Sequence, residues 1–166
     1  LDTLLPGRPR SYRQLVYHIF NIQDVFLKRV EDNAPYTYES LLSILPKEMK
    51  TKDDLVDYGV KVEKRFSNWW DRSGISTDFK QPGNVYYGEV ILHEVLERTA
   101  WHSGQHVRQV ALMLKEKLNI EPKPPLNEKI FDGLPMPKNI WDNERSFSEK
   151  SYSGQALSSV EDFKNL

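Results

Sequence analysis

The chain's 166 residues are enough for one domain with a hydrophobic core and too few for two ordinary domains. Its 23 basic and 24 acidic residues give a net charge of −1. This balance does not indicate a protein that binds nucleic acid or an anionic membrane surface. Because cysteine is absent, disulfides, thiolate metal sites and a cysteine nucleophile are excluded, and any metal must be bound by histidine, carboxylates or water.

The first predicted helix begins after Ser11, a residue type that caps helix N-termini. Its apolar side chains recur at helical spacing: Leu15, Ile19, Ile22, Val25, Phe26 and Val30. A shorter helix is predicted from Tyr38 to Ile44, and Pro46 ends it.

The third predicted helix starts at Thr51, carries Asp53 and Asp54 in its first turn and ends before Gly74. Its apolar stripe comprises Leu55, Tyr58, Val62, Phe66, Trp69 and Trp70. The next stretch contains a Pro-Gly-Asn turn and is predicted to be a loop or a short hairpin. The longest helix follows, from about Glu89 to Leu118.

A proline-rich segment follows Ile120 and ends the helical part of the chain. Its apolar residues are expected to dock on the helices: Ile130, Phe131, Leu134, Ile140 and Trp141. The sequence thus predicts an all-α helical bundle domain at residues 1–142 and a C-terminal tail at residues 143–166. It lacks both a signal-peptide core and the roughly 18 apolar residues of a membrane span, so we expect the cytoplasm.

Three long helices bury their apolar stripes less well than four do. Either the tail closes a three-helix bundle, or a further helix precedes this chain in the full-length protein or comes from a partner subunit. The helical pattern leaves these alternatives open.

Two histidines, His102 and His106, are four residues apart in the longest helix, so their imidazoles can converge on one point. A metal with open coordination positions normally takes three protein ligands. His18 is the best third candidate because it lies on the apolar side of the first helix, where a histidine needs a partner. The alternative is three buried histidines bonded only to protein groups.

His93 opens a stretch, "HEVLE", that resembles the start of a zinc-protease motif, but Glu97 replaces the second histidine. His93 and Glu97 also lie nearly opposite His102 on the helix, so they cannot share its metal. We expect His93 at the surface or against the tail. The sequence contains no Glu-x-x-His, which sets aside di-iron carboxylate chemistry.

Aromatic residues could line a pocket near the histidines, although core packing is the more common role of such residues at helical spacing. The residues in question are Tyr12, Tyr17, Trp69, Trp70, Tyr86, Tyr87 and Trp101. Arg13 and Arg108 could pair with a substrate carboxylate, and pairing with acidic groups of the protein is favoured.

Two stretches, "LHEVLERTAWHSGQHVRQVALML" and "GRPRSYRQLVYHIFNIQDVFL", resemble the DinB-like metal-binding helical superfamily, which includes the YfiT type and thiol-dependent transferases. The sequence looks especially like the bacterial DinB-like domains that are fused to, or encoded beside, glutaredoxin-like domains. The resemblance covers roughly residues 8 to 142 and includes "NWWDRSG" and "FDGLPMPKNIWDNE".

The resemblance implies a four-helix bundle that binds a divalent metal, commonly zinc or nickel with iron as another option, through three histidines. It assigns His18 as the first ligand and His102 and His106 as the second and third, with water or substrate completing the shell. In the family a long helix precedes the helix of His18, and this sequence departs from the pattern there. Family members often form homodimers.

The resemblance also implies a function, transfer of a low-molecular-weight thiol such as glutathione onto an electrophile. The metal would lower the pKa of the thiol, and the thiol would supply the nucleophile that this cysteine-free chain lacks. Expected partners are a small-molecule substrate or thiol and a glutaredoxin-like protein or fused domain. The alternatives are a metal-dependent hydrolase, in which the same site ionises water, and a non-catalytic metal-binding or interaction module.

Overall fold

The structure, a computed structural model, describes residues 1–2 and 11–140. Its α-helices are α1 (Tyr12–Asp32), α2 (Tyr38–Leu41), α3 (Lys52–Trp69) and α4 (Leu92–Leu118). A π-helical turn (Trp70–Gly74) extends α3, and a 3-10 turn (Glu128–Phe131) follows α4. Within the described ranges the chain forms isolated β-bridges and no strand, so the predicted all-α fold is confirmed.

The ends of α1 are fixed by local hydrogen bonds. The hydroxyl of Ser11 accepts from the backbone N–H of Gln14, and the Gln14 side chain accepts from the backbone N–H of Ser11. At the other end Asn33 adopts the left-handed conformation that closes many helices. The predicted N-cap of this helix is therefore confirmed.

Two of the predicted helix boundaries are wrong by about a turn or less. The short helix α2 ends at Leu41 rather than Ile44, because Ser43 adopts a left-handed backbone conformation with φ of 51°. Helix α4 begins at Leu92 rather than Glu89, because Ile91 is extended and its N–H donates to the carboxylate of Glu94.

Helix α1 is the centre of the molecule, since both α3 and α4 pack against it. It therefore buries side chains around most of its circumference: Leu15, Tyr17, His18, Ile19, Asn21, Ile22, Asp24, Val25, Phe26, Leu27 and Arg29. A hydroxyl on α4 reaches across one interface, where Ser103 donates to the backbone carbonyl of Ile19 at 3.4 Å. The buried Ser103 side chain thus joins α4 to the backbone of α1 at Ile19.

The predicted apolar stripe of α3 is correct for Leu55, Val62 and Trp69, which are all buried. Val62 and Trp69 belong to the same core cluster as Phe26 of α1. The predicted stripe is wrong for Trp70, which is 44% exposed. The reason is geometric, because the α-helix ends at Trp69 and the wider π-helical turn changes the direction of the next side chain.

The stretch between α3 and α4 is a loop with isolated bridges, which agrees with the loop that the Pro-Gly-Asn turn predicts. Arg29 of α1 anchors it by donating to the backbone carbonyls of Pro82 and Gly83, both at 2.9 Å. The loop therefore covers the C-terminal end of α1.

The segment that follows α4 folds back onto it, as the apolar residues after Ile120 predict. The ring of Phe131 lies on the α4 backbone at Gly104, and Leu134 and Met136 pack on the core. Ile130 is an exception, since it is 64% exposed. The predicted docking of Trp141 and the tail at 143–166 lie outside the described residues.

The described part of the fold thus consists of three long helices with residues 128–140 packed along α4. None of the helices in the described ranges combines the length and apolarity that crossing a membrane requires.

Candidate metal centre

The three predicted ligands meet at the interface between α1 and α4. His18 lies in the middle of α1 and is 1% exposed, and His102 and His106 lie one turn apart on α4 and are each 4% exposed. The ring centroid of His18 is 5.3 Å from that of His102 and 5.0 Å from that of His106. One potential ligand atom from each of the three lies within 4.8 Å of the other two.

The two α4 histidines face each other through their Nε2 atoms, which are 3.0 Å apart. Two imidazole lone pairs cannot lie that close without a positive charge between them. In the protein alone, a proton on one Nε2 serves this purpose. A metal ion does the same for both nitrogens at once, because it accepts both lone pairs.

Gln109 selects one tautomer of the neutral His106 ring. Its Nε2 donates to the backbone carbonyl of Ile140 at 3.0 Å, and a carbonyl only accepts, so the orientation of the amide is determined. The amide Oε1 then faces Nδ1 of His106 at 2.9 Å. His106 therefore donates from Nδ1, and in the neutral ring Nε2 then has the lone pair that a metal needs.

Ser43 has the corresponding position beside His18. Its hydroxyl is 2.5 Å from Nδ1 of His18 and also accepts from the side-chain amide of Asn21 at 2.9 Å. Asn21 is itself oriented, because its Nδ2 donates to the backbone carbonyl of Ser40 and its Oδ1 accepts from Tyr17. With the Ser43 hydroxyl directed at the carbonyl of Leu41, 3.3 Å away, His18 donates from Nδ1 and presents Nε2.

The donor set fits a divalent ion of intermediate softness. Neutral imidazole nitrogens suit zinc, nickel and iron alike, and three of them leave at least one coordination position for water or substrate. The Nδ1 partners of His18 and His106 are protein groups that accept a proton, as is usual for metal-binding histidines. The arrangement can therefore hold such an ion in a water-poor environment.

A buried cation lies one turn before His102 on the same helix. Arg98 is 2% exposed, and its guanidinium carbon is 4.7 Å from the ring centroid of Tyr87. Burial raises the pKa of the neighbouring Tyr36 hydroxyl, an effect opposed by the charge of Arg98 and by a hydrogen bond with Thr99. These groups tie α4 to the two loops that cover it.

The structure separates His93 from this centre, as the helical geometry predicts. Its side chain is exposed, and its ring lies 6.5 Å from that of Phe79. Both arginines considered as substrate ligands are occupied by protein groups. Arg13 pairs with Asp2 at 2.7 Å, and Arg108 donates to Gln105, to the Pro137 carbonyl and to Glu128.

The aromatic residues divide between core and surface. Tyr17, Trp69, Tyr87 and Trp101 are buried, whereas Trp70 and Tyr86 are more than 40% exposed. The Trp101 ring packs against a ligand candidate, with its centroid 5.6 Å from that of His102. Tyr12 bonds to the sulfur of Met113, so most of the set has the packing role that helical spacing favours.

Sequence reasoning missed Ser43, Asn21 and Gln109. Gln109 could have been found, because it follows His106 by three residues and therefore shares its helical face. Ser43 has no such signal, since its contact with His18 spans 25 residues and depends on a left-handed backbone. Comparison with protein-family models, curated proteins and solved structures found no match.

Proposed function

We propose that this protein binds one divalent metal ion through His18, His102 and His106 and uses it to activate a low-molecular-weight thiol for transfer onto an electrophile. The convergence of three buried histidines from two helices carries the metal-binding part. The thiol part rests on the resemblance to DinB-like proteins and on the absence of cysteine from the chain.

The residues of the chain have distinct tasks in this proposal. The three imidazoles bind the ion, and the α1–α4 interface excludes water from it. Ser43 and Gln109 accept hydrogen bonds from the Nδ1–H groups of His18 and His106. When bound, the ion supplies Lewis acidity that keeps a coordinated thiol ionised at neutral pH.

The proposal also concerns location and partners. A thiol-dependent reaction suits the cytoplasm, where low-molecular-weight thiols are kept reduced. We further propose a glutaredoxin-like protein or fused domain as a partner and a homodimer as the assembly, following the same resemblance. Sedimentation of the purified protein tests the dimer, and a purely monomeric species at micromolar concentration would contradict it.

Metal content tests the site. The purified protein loaded with Zn²⁺ or Ni²⁺ and then desalted should retain about one equivalent of metal. His102→Ala should lose it, whereas His93→Ala, on the same helix but exposed, should retain it. If His102→Ala keeps the wild-type stoichiometry, the triad does not bind the metal.

A cobalt-substituted sample tests the thiol. Addition of glutathione, bacillithiol or mycothiol should change the visible spectrum of Co²⁺, because sulfur coordination alters its electronic transitions. The oxidised disulfide of the same thiol is the control and should have no effect. A spectrum that none of the thiols changes would contradict the transferase proposal and leave metal binding intact.

A second candidate is a structural role, in which the ion joins α1 to α4 and no reaction occurs. The near-complete burial of the three histidines favours it, because closed sites are typical of structural metals. Addition of thiol to the cobalt-substituted protein distinguishes the two candidates. A closed structural site excludes the thiol from the cobalt, so its spectrum should not change.

A further inference from the structure

We propose that Ser43 and Gln109 are the positioning residues of the metal centre, which hold His18 and His106 with their Nε2 atoms directed at the ion. This inference rests on the proposed metal site and adds how the protein pre-forms it. In this proposal neither residue supplies a ligand atom. Each contacts the Nδ1 of a histidine, and the Nε2 of His106 faces His102.

Gln109 acts through a chain of defined donors and acceptors. The Ile140 carbonyl fixes its amide, the amide oxygen accepts the Nδ1 proton of His106, and the Nε2 of His106 then faces His102. Gln109 is 4% exposed, so water does not compete readily for either contact. The tautomer of His106 that binds metal is thus selected before any metal arrives.

Ser43 is held by the backbone rather than by a long side chain. Its φ of 51° lies in the left-handed region, which non-glycine residues seldom adopt, and the residue is only 6% exposed. This conformation ends α2 and places the hydroxyl 2.5 Å from Nδ1 of His18. Rare backbone conformations are often found at functional sites, and that of Ser43 occurs beside a proposed metal-binding histidine, His18.

The two contacts have the same consequence for different helices. Each contact involves the Nδ1 of one histidine and so restricts rotation of its ring. The conformational entropy that is lost when metal binds is therefore smaller. Loss of either should weaken metal binding while leaving all three ligands in place. Outer partners of this kind commonly change metal affinity by about 10–100-fold.

The experiment for Gln109 measures Zn²⁺ affinity by competition with a chelator. Gln109→Ala should bind Zn²⁺ at least about 10-fold more weakly than wild type. Gln105→Ala is the matched control, because Gln105 is also buried on α4 and donates to the Ile140 carbonyl, whereas its side-chain oxygen accepts from Arg108 rather than from a histidine. It should stay within about 3-fold of wild type, well below the effect of a lost outer partner.

Gln109→Glu separates the two functions of the amide. The carboxylate can still accept the Nδ1 proton of His106 but no longer donates to the Ile140 carbonyl. We expect it to keep most of the Zn²⁺ affinity that Gln109→Ala loses. Equal loss in both variants would show that attachment of residue 140 matters and that the acceptor does not, which overturns the positioning role.

The experiment for Ser43 uses Ser43→Gly, because glycine adopts a positive φ without strain and so preserves the fold. It removes the hydroxyl beside His18, and we expect Zn²⁺ affinity to fall at least about 10-fold. Loss of the hydroxyl leaves buried polar groups of His18 and Asn21 without this partner, so the metal-free melting temperature should fall. A melting curve checks that the variant is folded at the temperature of the affinity measurement. Ser40→Ala is the control, since the Ser40 hydroxyl donates to the Thr37 carbonyl within the same short helix and should leave affinity unchanged.

Cobalt spectra give a second readout that a general loss of stability would not change. Ser43→Gly and Gln109→Ala, saturated with Co²⁺, should have altered absorption because the imidazoles are oriented less uniquely. If wild type binds metal and both variants match its affinity and spectrum, the positioning inference fails alone. If wild type binds no metal, the proposed function fails as well.

Discussion

Gly104 and Phe131 are in contact where the C-terminal segment crosses α4. A Cβ atom at position 104 would lie 2.7 Å from Cε1 of Phe131, which is shorter than the van der Waals contact distance of two non-bonded carbon atoms. Gly104 lies between the two α4 ligand candidates in sequence, and its missing side chain allows the segment to lie against the helix backbone. The glycine in "WHSGQH" therefore has a packing role on α4.

Gly104→Ala should destabilise the protein by about 1–3 kcal/mol, because the methyl group overpacks the contact with Phe131. In a Phe131→Ala background the same change should stabilise it by up to about 1 kcal/mol, because alanine favours helix more than glycine does. Urea denaturation of the four proteins measures this reversal of sign. The same change in free energy in both backgrounds would show that the two residues do not interact.

Much of the fold follows from local pattern. Ser11 caps α1 because its short hydroxyl side chain accepts from a backbone N–H that has no partner within the helix. The residue type and its place before the helical pattern predict this cap. The convergence of His102 and His106 likewise follows from a four-residue spacing. His18 could be predicted because it lies on the apolar side of a clear helical pattern.

The rest depends on contacts between distant segments. Ser43 reaches His18 only because α2 ends in a left-handed residue, and the Ile140 carbonyl reaches Gln109 because the chain folds back along α4. Arg98 is buried through its position over Tyr87, which a helical pattern cannot anticipate for a charged residue. Periodicity predicts faces of helices, and it does not predict which loop will cover them.

If the proposed site binds metal, removal of the metal should lower the stability of the protein, because His18 lies on α1 and His102 and His106 lie on α4. With free Zn²⁺ about 100-fold above its dissociation constant, stabilisation of about 2.7 kcal/mol is expected, or roughly 5–10 °C in melting temperature. Scanning calorimetry with and without chelator measures the difference. His93→Ala should show the same shift and His106→Ala none; a wild-type melting temperature that chelation leaves unchanged would contradict a metal bound by the folded state.

Arg65 joins α3 to α1 through a network of ion pairs. Its guanidinium lies 2.7 Å from Asp24 and 2.6 Å from Glu31, and the side chain of Asp24 is only 12% exposed. Arg65→Met should cost about 1 kcal/mol of unfolding free energy, with a smaller cost in 1 M salt. Arg72→Met is the control, because Arg72 contacts the same Glu31 at 3.5 Å from a side chain that is 71% exposed. An equal cost in both variants would argue against a special role for the partly buried pair.

The first turn of α3 should make stability depend on pH in the acid range. The backbone N–H and hydroxyl of Thr51 hold the pKa of Asp54 below its usual 3.8, assisted by the backbone N–H of Lys50. A lowered pKa in the folded state stabilises the protein above 3.8, and this contribution disappears as the pH falls through the folded-state value.

Asp54→Asn should therefore be less stable than wild type at neutral pH, because the neutral amide forms weaker hydrogen bonds with Thr51 than the charged carboxylate does. The gap between the two proteins should stay constant down to about pH 5 and narrow below it, as the carboxylate of wild type takes up a proton. Urea unfolding at a series of pH values measures the gap. Thr51→Ser keeps the hydroxyl and should follow the wild-type profile. A gap that stays the same down to pH 2 would mean that the charge of Asp54 contributes nothing to the cap.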